Sequence, residues 1–155
     1  MNIRPYNSAD RQACINIFNS NCEKYFDPSE LKGLESWLDD QDNGTITTRA
    51  SISDYYYVGE VDQKVIASGG FYIYKEKPVA SMTWGMVDNA YHKKGIGKEL
   101  FEYRMTQIQE LYPDHSIILD TTQHTFQFFE RFGFKVVKIT PNGYGHGLDR
   151  YDMKL

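Results

Sequence analysis

His92-Lys93-Lys94-Gly95-Ile96-Gly97-Lys98 is the stretch whose reading decides the fold. Upstream, Val79 to Val87 predicts a strand. Downstream, Gly95 to Leu111 predicts a helix with Ile96, Leu100, Tyr103, Ile108 and Leu111 broadly on one side and Pro113 just past its end. Strand, glycine loop, helix is a recurring solution for holding phosphate. The helix N-terminus offers unpaired N–H groups and a partial positive charge, and glycine lets the backbone come close to the oxygens. Lys93, Lys94 and Lys98 bring positive charge to the same place. An ordinary glycine turn with solvated lysines is the plain alternative. The loop is not a Walker A motif, because Glu99 follows Lys98 where Ser or Thr is needed. Nor is it a dinucleotide fingerprint, because Leu100 stands where the third glycine belongs.

Working outward toward the N-terminus, Tyr55 to Val61 and Val65 to Tyr74 predict two more strands. Short turns at Asp62-Gln63-Lys64 and Lys75 to Pro78 join them into an antiparallel meander. Gly69-Gly70 predicts a bulge or a close backbone approach. Tyr55-Tyr56-Tyr57 alternates faces and reads as strand packing. Asp39 to Asp54 is polar and reads as a loop. Before it, Asp27-Pro28-Ser29-Glu30 has the form of a capping box with Pro at the first helical position, followed by Leu31, Leu34 and Leu38 on one face. Earlier still, Ile3 to Tyr6 predicts a strand, Ser8 a cap, and Cys14, Phe18 and Cys22 a stripe on one helix. On such a helix the two cysteines would be about 12 Å apart, too far for a disulfide, and they read as free thiols. Toward the C-terminus the expectations are a strand at Ser116 to Thr121, a short helix at Thr125 to Arg131 stopped by Gly133, and a strand at Phe134 to Ile139. A loop at Pro141 to Gly147 and a final strand through Leu155 complete the chain. The order β-α-α-β-β-β-α-β-α-β-β predicts an α+β fold with a mixed, mostly antiparallel central sheet flanked by helices. A chain of 155 residues with no linker or repeat reads as a single domain, 1–155.

The net charge of −4 argues against a nucleic-acid binder that works by phosphate neutralisation. No apolar run is long enough for a membrane span, and the N-terminus lacks a signal-peptide core, so the cytoplasm is the expected location. Two cysteines alone do not make a zinc site, and no metal is expected.

His92 to Gly97 resembles the Gln/Arg-x-x-Gly-x-Gly/Ala loop of the GCN5-related N-acetyltransferase (GNAT) family, with His in the first place. Phe128-Phe129-Glu130-Arg131-Phe132-Gly133-Phe134 echoes a second family signature, Phe-Tyr-x-x-x-Gly-Phe, in the expected order and spacing. Ile3-Arg4-Pro5 before a helix also looks like the family, so the resemblance covers nearly the whole chain.

The resemblance implies that acetyl-CoA is the acyl donor. Met86 and Val87 would pair their backbone with the pantetheine arm. The pyrophosphate would sit on the N–H groups of Lys93, Lys94, Gly95, Ile96, Gly97 and Lys98. His92 would either touch a phosphate or lie exposed without a role. Gln123 stands where the family often has an Asn contacting the cofactor arm. The implied reaction is direct attack of a small-molecule or peptide amine on the thioester, whose carbonyl is polarised by a backbone N–H of the fourth strand. The family's general acid, a tyrosine, falls at Phe129, which is expected to lie against the cofactor but cannot donate a proton. Three readings stay open: another acid serves, with Tyr144 and His146 the candidates; the thiolate leaves with little help; or the chain is a non-catalytic acyl-CoA sensor. A histidine at 146 could also accept the amine proton, and the glycines around it would let the loop close over a substrate. Asp120 could pair with a cationic amine, although capping or solvation is the plainer role. The acceptor pocket is expected between Phe18 to Leu38 and Pro141 to Arg150, with Tyr25, Phe26, Trp37 and Tyr144 suggesting some apolar surface on the acceptor. Dimers are common among similar proteins, which makes a homodimer the assembly to test for.

Overall fold

The computed structural model describes residues 1–47 and 50–155. Seven strands form one sheet, β1 (Asn2–Pro5), β2 (Ser51–Val61), β3 (Lys64–Tyr74), β4 (Val79–Val87), β5 (Ser116–Thr121), β6 (Lys135–Gly145) and β7 (Leu148–Lys154), in the spatial order β1-β2-β3-β4-β5-β7-β6. Every neighbouring pair is antiparallel except β4 with β5. The helices are α1 (Arg11–Asn21), α2 (Leu31–Asn43), α3 (Ile96–Leu111) and α4 (Phe126–Glu130). The mixed sheet and the element order are those expected.

Each face of the sheet carries its own core. On one face Ile17, Phe18, Leu34, Trp37 and Leu38 of α1 and α2 pack on Tyr56, Val58 and Met86. On the other, Phe101 and Ile108 of α3 pack on Tyr57, Phe71, Ile73, Met82, Leu119 and Phe134. The alternation of side chains along each strand feeds the two cores, which places Tyr56 and Tyr57 on opposite faces as strand packing requires. Asp62 and Gln63 both have positive φ, 50° and 65°, the two-residue turn that matches the twist of a hairpin.

Several expectations are corrected. The first cap is Asn7, not Ser8: the Asn7 side chain takes the Ala9 N–H and Asp10 reciprocates at the Asn7 N–H. Cys22 does not share the helical stripe, because α1 ends at Asn21 and Cys22 is extended; both thiols are free, Cys14 buried and Cys22 half-buried. The polar run from Asp39 is helix as far as Asn43, since α2 is stopped by Gly44 in the left-handed region (φ 65°) and not by its change to polar residues. The buried Asp40 carboxylate then accepts from the hydroxyls of Thr45 and Thr47. Thr48 and Arg49 of the expected loop lie outside the described residues, and β2 begins at Ser51, four residues early. On α3, Leu111 is exposed; Phe101 and Arg104 take the buried face with Leu100 and Ile108. Pro141 to Gly145 is strand, not loop. Side chains clamp the hairpin there: the Asn142 backbone N–H donates to the Asp149 carboxylate, and the Asn142 side-chain Oδ1 accepts the Gly147 N–H.

Candidate active site

The site begins where β4 and β5 part. Their parallel ladder runs only from Val79/Ser116 to Ser81/Ile118. Beyond it, β4 carries an extra residue: Ser68 faces Met86 but Gly70 faces Thr83, and Trp84 takes a left-handed φ of 47°. This is a bulge at Trp84-Gly85, which bends the strand and breaks the pairing. The predicted close approach at Gly69-Gly70 is also present, since a Cβ on Gly70 would come within 1.9 Å of the Tyr55 carbonyl oxygen. The result is a cleft between the C-terminal ends of two parallel strands, floored by α3 on one face and roofed by the α1–α2 connection on the other.

The loop His92 to Lys98 closes one end of the cleft. Lys93 (φ 61°) and Gly95 (φ 80°) turn the chain into α3, and Gly95 is its N-cap with no side-chain hydrogen bond to the first turn. The helical starts at Asn7 and Asp27 carry full capping boxes. The first N–H groups of the 16-residue α3 are thus left to a ligand or to water, with Lys93, Lys94 and Lys98 exposed around them. A Cβ on Gly97 would only touch Val87 at 3.7 Å, so its lack of a side chain is not demanded by the fold.

The remaining residues singled out from sequence are distributed around this cleft. Met86 is buried against the α1–α2 core. The Val87 carbonyl oxygen takes two hydrogen bonds, from Asn21 Nδ2 (2.9 Å) and His92 Nε2 (2.9 Å). His92 is therefore neither idle nor exposed; it braces the loop against the end of β4. The Asn89 N–H adds a bond to Ser20 Oγ, so the end of α1 holds the segment before the loop. Ser20, Asn21, Tyr25, His92 and Lys93 line a depression of about 370 Å³ there. The Tyr25 ring stands between those of His92 (5.4 Å) and His124 (6.2 Å), spanning from the β4 side of the cleft to the β5 side. Gln123 spends both ends of its amide on the β6–β7 hairpin, donating to Gly147 and accepting from the Asp149 N–H. Phe129 lies in an aromatic cluster, with ring centroids 5.3 Å from Phe101 and 5.0 Å from Phe128.

On the α1–α2 face, carboxylates gather at the end of β5. Asp120 is neither a cap nor merely solvated: it accepts from the Tyr144 hydroxyl and from Arg150 Nη2 (3.4 Å), and Arg150 also holds Asp152 (3.0 Å). Burial and the Asp120 charge push the Tyr144 phenol far above its ordinary range. His146 is exposed on the hairpin turn. Trp37, expected in the pocket, is instead fully packed in the core. Tyr25 and Phe26 are half-buried, and Phe26 stacks on Trp84 (6.1 Å).

One residue of this group, Glu30, was visible in the sequence only as part of a capping box. Its Oε2 accepts the Asp27 N–H (2.8 Å), as that motif requires, and its other oxygen has no hydrogen-bond partner among the described residues. Burial, with Asp27 and Asp120 nearby, pushes its carboxyl up to about 7, against the pull of the Asp27 N–H. Gly33, one turn further along the same helical face, packs on Trp84, and a Cβ there would meet the indole at 3.3 Å. Glu30 therefore lies one turn before the residue that packs on the β4 bulge. Asn21, Tyr25 and Glu30 lie outside both sequence signatures; Tyr25 was expected at the pocket from its place in the chain, whereas the roles of Asn21 and Glu30 emerge only from tertiary contact.

The model of the acetyltransferase (GNAT) domain matches residues 27–155. A search of curated protein sequences returns no match. Among solved structures, the ribosomal-protein-alanine N-acetyltransferase of Brucella melitensis superposes with a TM-score of 0.75 at 16% identity, covering 100% of this chain and 99% of that one. The ribosomal-protein-S18-alanine N-acetyltransferase of Escherichia coli gives 0.75 at 17% identity, covering 99% and 92%. A candidate acetyltransferase of Salmonella typhimurium, whose structure contains acetyl-CoA, gives 0.74 at 17% identity, covering 100% and 92%. At such identities these structures speak for the fold. The family match covers most of the chain and includes the loop, the split strands and the second signature, and on it this chain belongs to the GNAT acetyltransferase family.

Proposed function

We infer that this protein transfers an acetyl group from acetyl-CoA to a primary amine of a small molecule or peptide, by direct attack in a ternary complex. The observation that carries the reading is the uncapped, glycine-opened N-terminus of α3 with three lysines, set at the end of a strand split from its neighbour. The backbone of Lys93 to Lys98 receives the pyrophosphate. The pantetheine arm runs along the open edge of β4. The Asp88 N–H bonds Ile66 on the β3 side, so by strand alternation the Val87 N–H faces the cleft and can donate to an amide of the arm. The Val87 carbonyl is already taken by Asn21 and His92. The Salmonella typhimurium neighbour with acetyl-CoA supports the same ligand here.

The acceptor enters from the α1–α2 face, between Tyr25, Phe26 and Trp84. That surface suits an amine attached to an apolar or aromatic body, with Asp120 as a counter-charge near its end. Glu30 takes the proton that the attacking amine must lose. A carboxyl held near neutrality is a competent base in the physiological range, and one of its oxygens has no hydrogen-bond partner among the described residues. Tyr144 and His146 fit acid–base roles less well. The Tyr144 proton is committed to Asp120, and His146 makes no hydrogen bond to either carboxylate.

The test is thiol release from acetyl-CoA across a panel of amines. Tight CoA binding with no turnover on any amine would replace this reading with the second one, a non-catalytic acyl-CoA sensor. That alternative draws on Phe129, which removes the family's proton donor.

A further inference from the structure

Arg104 is the one fully enclosed cation described in the structure that no carboxylate meets. It projects from the middle of α3 toward the sheet and is 5% exposed. Its Nη1 donates to the Gly70 carbonyl (3.2 Å), and its Nε is buried with no partner. Among the described residues, buried Tyr56 is the titratable group that interacts with it, and burial pulls the Arg104 pKa down to about 10. Two glycines make its slot. A Cβ on Gly69 would come within 3.0 Å of Cζ, and a Cβ on Gly85 within 2.8 Å of Nη2. Gly85 is half of the β4 bulge. The guanidinium also lies over the Phe101 ring (5.9 Å), and Phe101 in turn touches Phe129. Arg104 thus touches the bulged backbone that would polarise the thioester carbonyl, and through Phe101 it is one ring away from Phe129, where the proton donor to sulfur would have stood.

We propose that the Arg104 guanidinium, acting through its field across the bulged strand, stabilises the negative charge that passes from thioester oxygen to departing sulfur, in place of the proton donor that Phe129 lacks. The proposal rests on the acetyl-transfer reading. In that step the amine lone pair forms the new C–N bond and the carbonyl π pair moves onto oxygen. It returns as the C–S bond breaks, the electron pair of that bond leaves on sulfur as a thiolate, and the ammonium proton passes to Glu30. Both oxygen and sulfur carry the charge in turn, and a fixed cation in a dry site favours each without a proton moving. Arg104 touches neither the substrate nor the reacting atoms.

The test measures the thiol pKa of bound CoA from thiolate absorbance as pH is varied, in the wild type, Arg104→Met and Arg104→Lys. Glu30 and Asp120 on the opposite face, and His92 and His124 at the cleft mouth, are the same in all three proteins, so differences isolate the guanidinium. The expected wild-type value lies about one unit below the ~8.5 of a free thiol. Methionine returns it to the free value and slows transfer about tenfold with KM for the amine unchanged, and lysine keeps most of the effect. A bound thiol that titrates at or above the free value in the wild type overturns the proposal without any variant. So does a value that Arg104→Met leaves unmoved. If CoA does not bind at all in calorimetry, the acetyl-transfer reading falls first. If it binds with an ordinary thiol, only the role of Arg104 falls.

Discussion

Replacing Glu30 by Gln separates chemistry from folding unusually well. The Glu30 oxygen that accepts the Asp27 N–H has an equivalent in the Gln amide, so the capping box and the start of α2 survive. What is lost is the ability to take a proton. With a carboxyl near 7, about 90% of Glu30 is ionised at pH 8 and about 10% at pH 6. The wild-type kcat/KM for the amine should fall roughly tenfold over that range from this group alone. An unperturbed glutamate near 4.3 would stay ionised throughout and contribute nothing. The acceptor's own ionisation also bends such a profile, but it bends both proteins alike. The informative quantity is the ratio of wild-type to Glu30→Gln rates as pH varies. That ratio should be about 10² to 10⁴ at pH 8, the usual worth of a general base, and shrink about tenfold by pH 6. A ratio independent of pH, or a ratio near one, refutes Glu30 as the base. Circular dichroism and thermal unfolding of the variant confirm that the cap was kept.

Gly97→Ala places its Cβ in ordinary contact with Val87, so melting should be unchanged or slightly raised. CoA affinity should nevertheless fall about tenfold or more in calorimetry, because one N–H loses its approach to a charged phosphate. Phe129→Tyr adds a hydroxyl where the family's proton donor stands, and turnover should rise in the thiol-release assay while CoA affinity stays the same. Thiol labelling of the native protein should modify Cys22 first. Burial pushes Cys14 up to about 12, leaving almost no thiolate at pH 8, so it should react only as the protein opens.

The fold was legible because its decisive elements are local. The capping box at Asp27 to Glu30, the turn at Asp62-Gln63 and the glycine loop at Gly95-Ile96-Gly97 each act within a few residues. Where the expectations failed, specific side-chain and backbone contacts, some local and some tertiary, had overridden composition. Pro141 to Gly145 looks like loop by its glycines, yet Asn142 and Asp149 tie it into a hairpin. Trp37 looks like a pocket aromatic by its place in the second helix, yet the core on the α1–α2 face of the sheet absorbs it whole. The loop half of the site was readable as a motif. The acceptor half was readable only as separate residues, Tyr25 and Asp120, because Asn21 and Glu30 join them only when α1 and α2 fold over the split strands. No spacing in the sequence encodes that meeting.

Arg104 shows how a departure from pattern can carry more information than a match. Leu100, Phe101 and Ile108 set an apolar seam along α3, and position 104 falls inside it. A leucine or methionine there would fill the seam without needing glycines at 69 and 85. The chain instead buries a cation with no carboxylate, a choice that burdens stability, since an unpaired charge loses its hydration. Such breaches of local consistency concentrate at functional sites. The same protein has lost the hydroxyl at Phe129, and the two departures touch one ring, Phe101. If Arg104 were only a packing element, Arg104→Met would lower the unfolding temperature by breaking its bond to Gly70. If it is kept for its charge, the same variant should unfold at an equal or higher temperature while transferring acetyl groups more slowly. Stability and rate then move in opposite directions, and a fall in both would return Arg104 to the core.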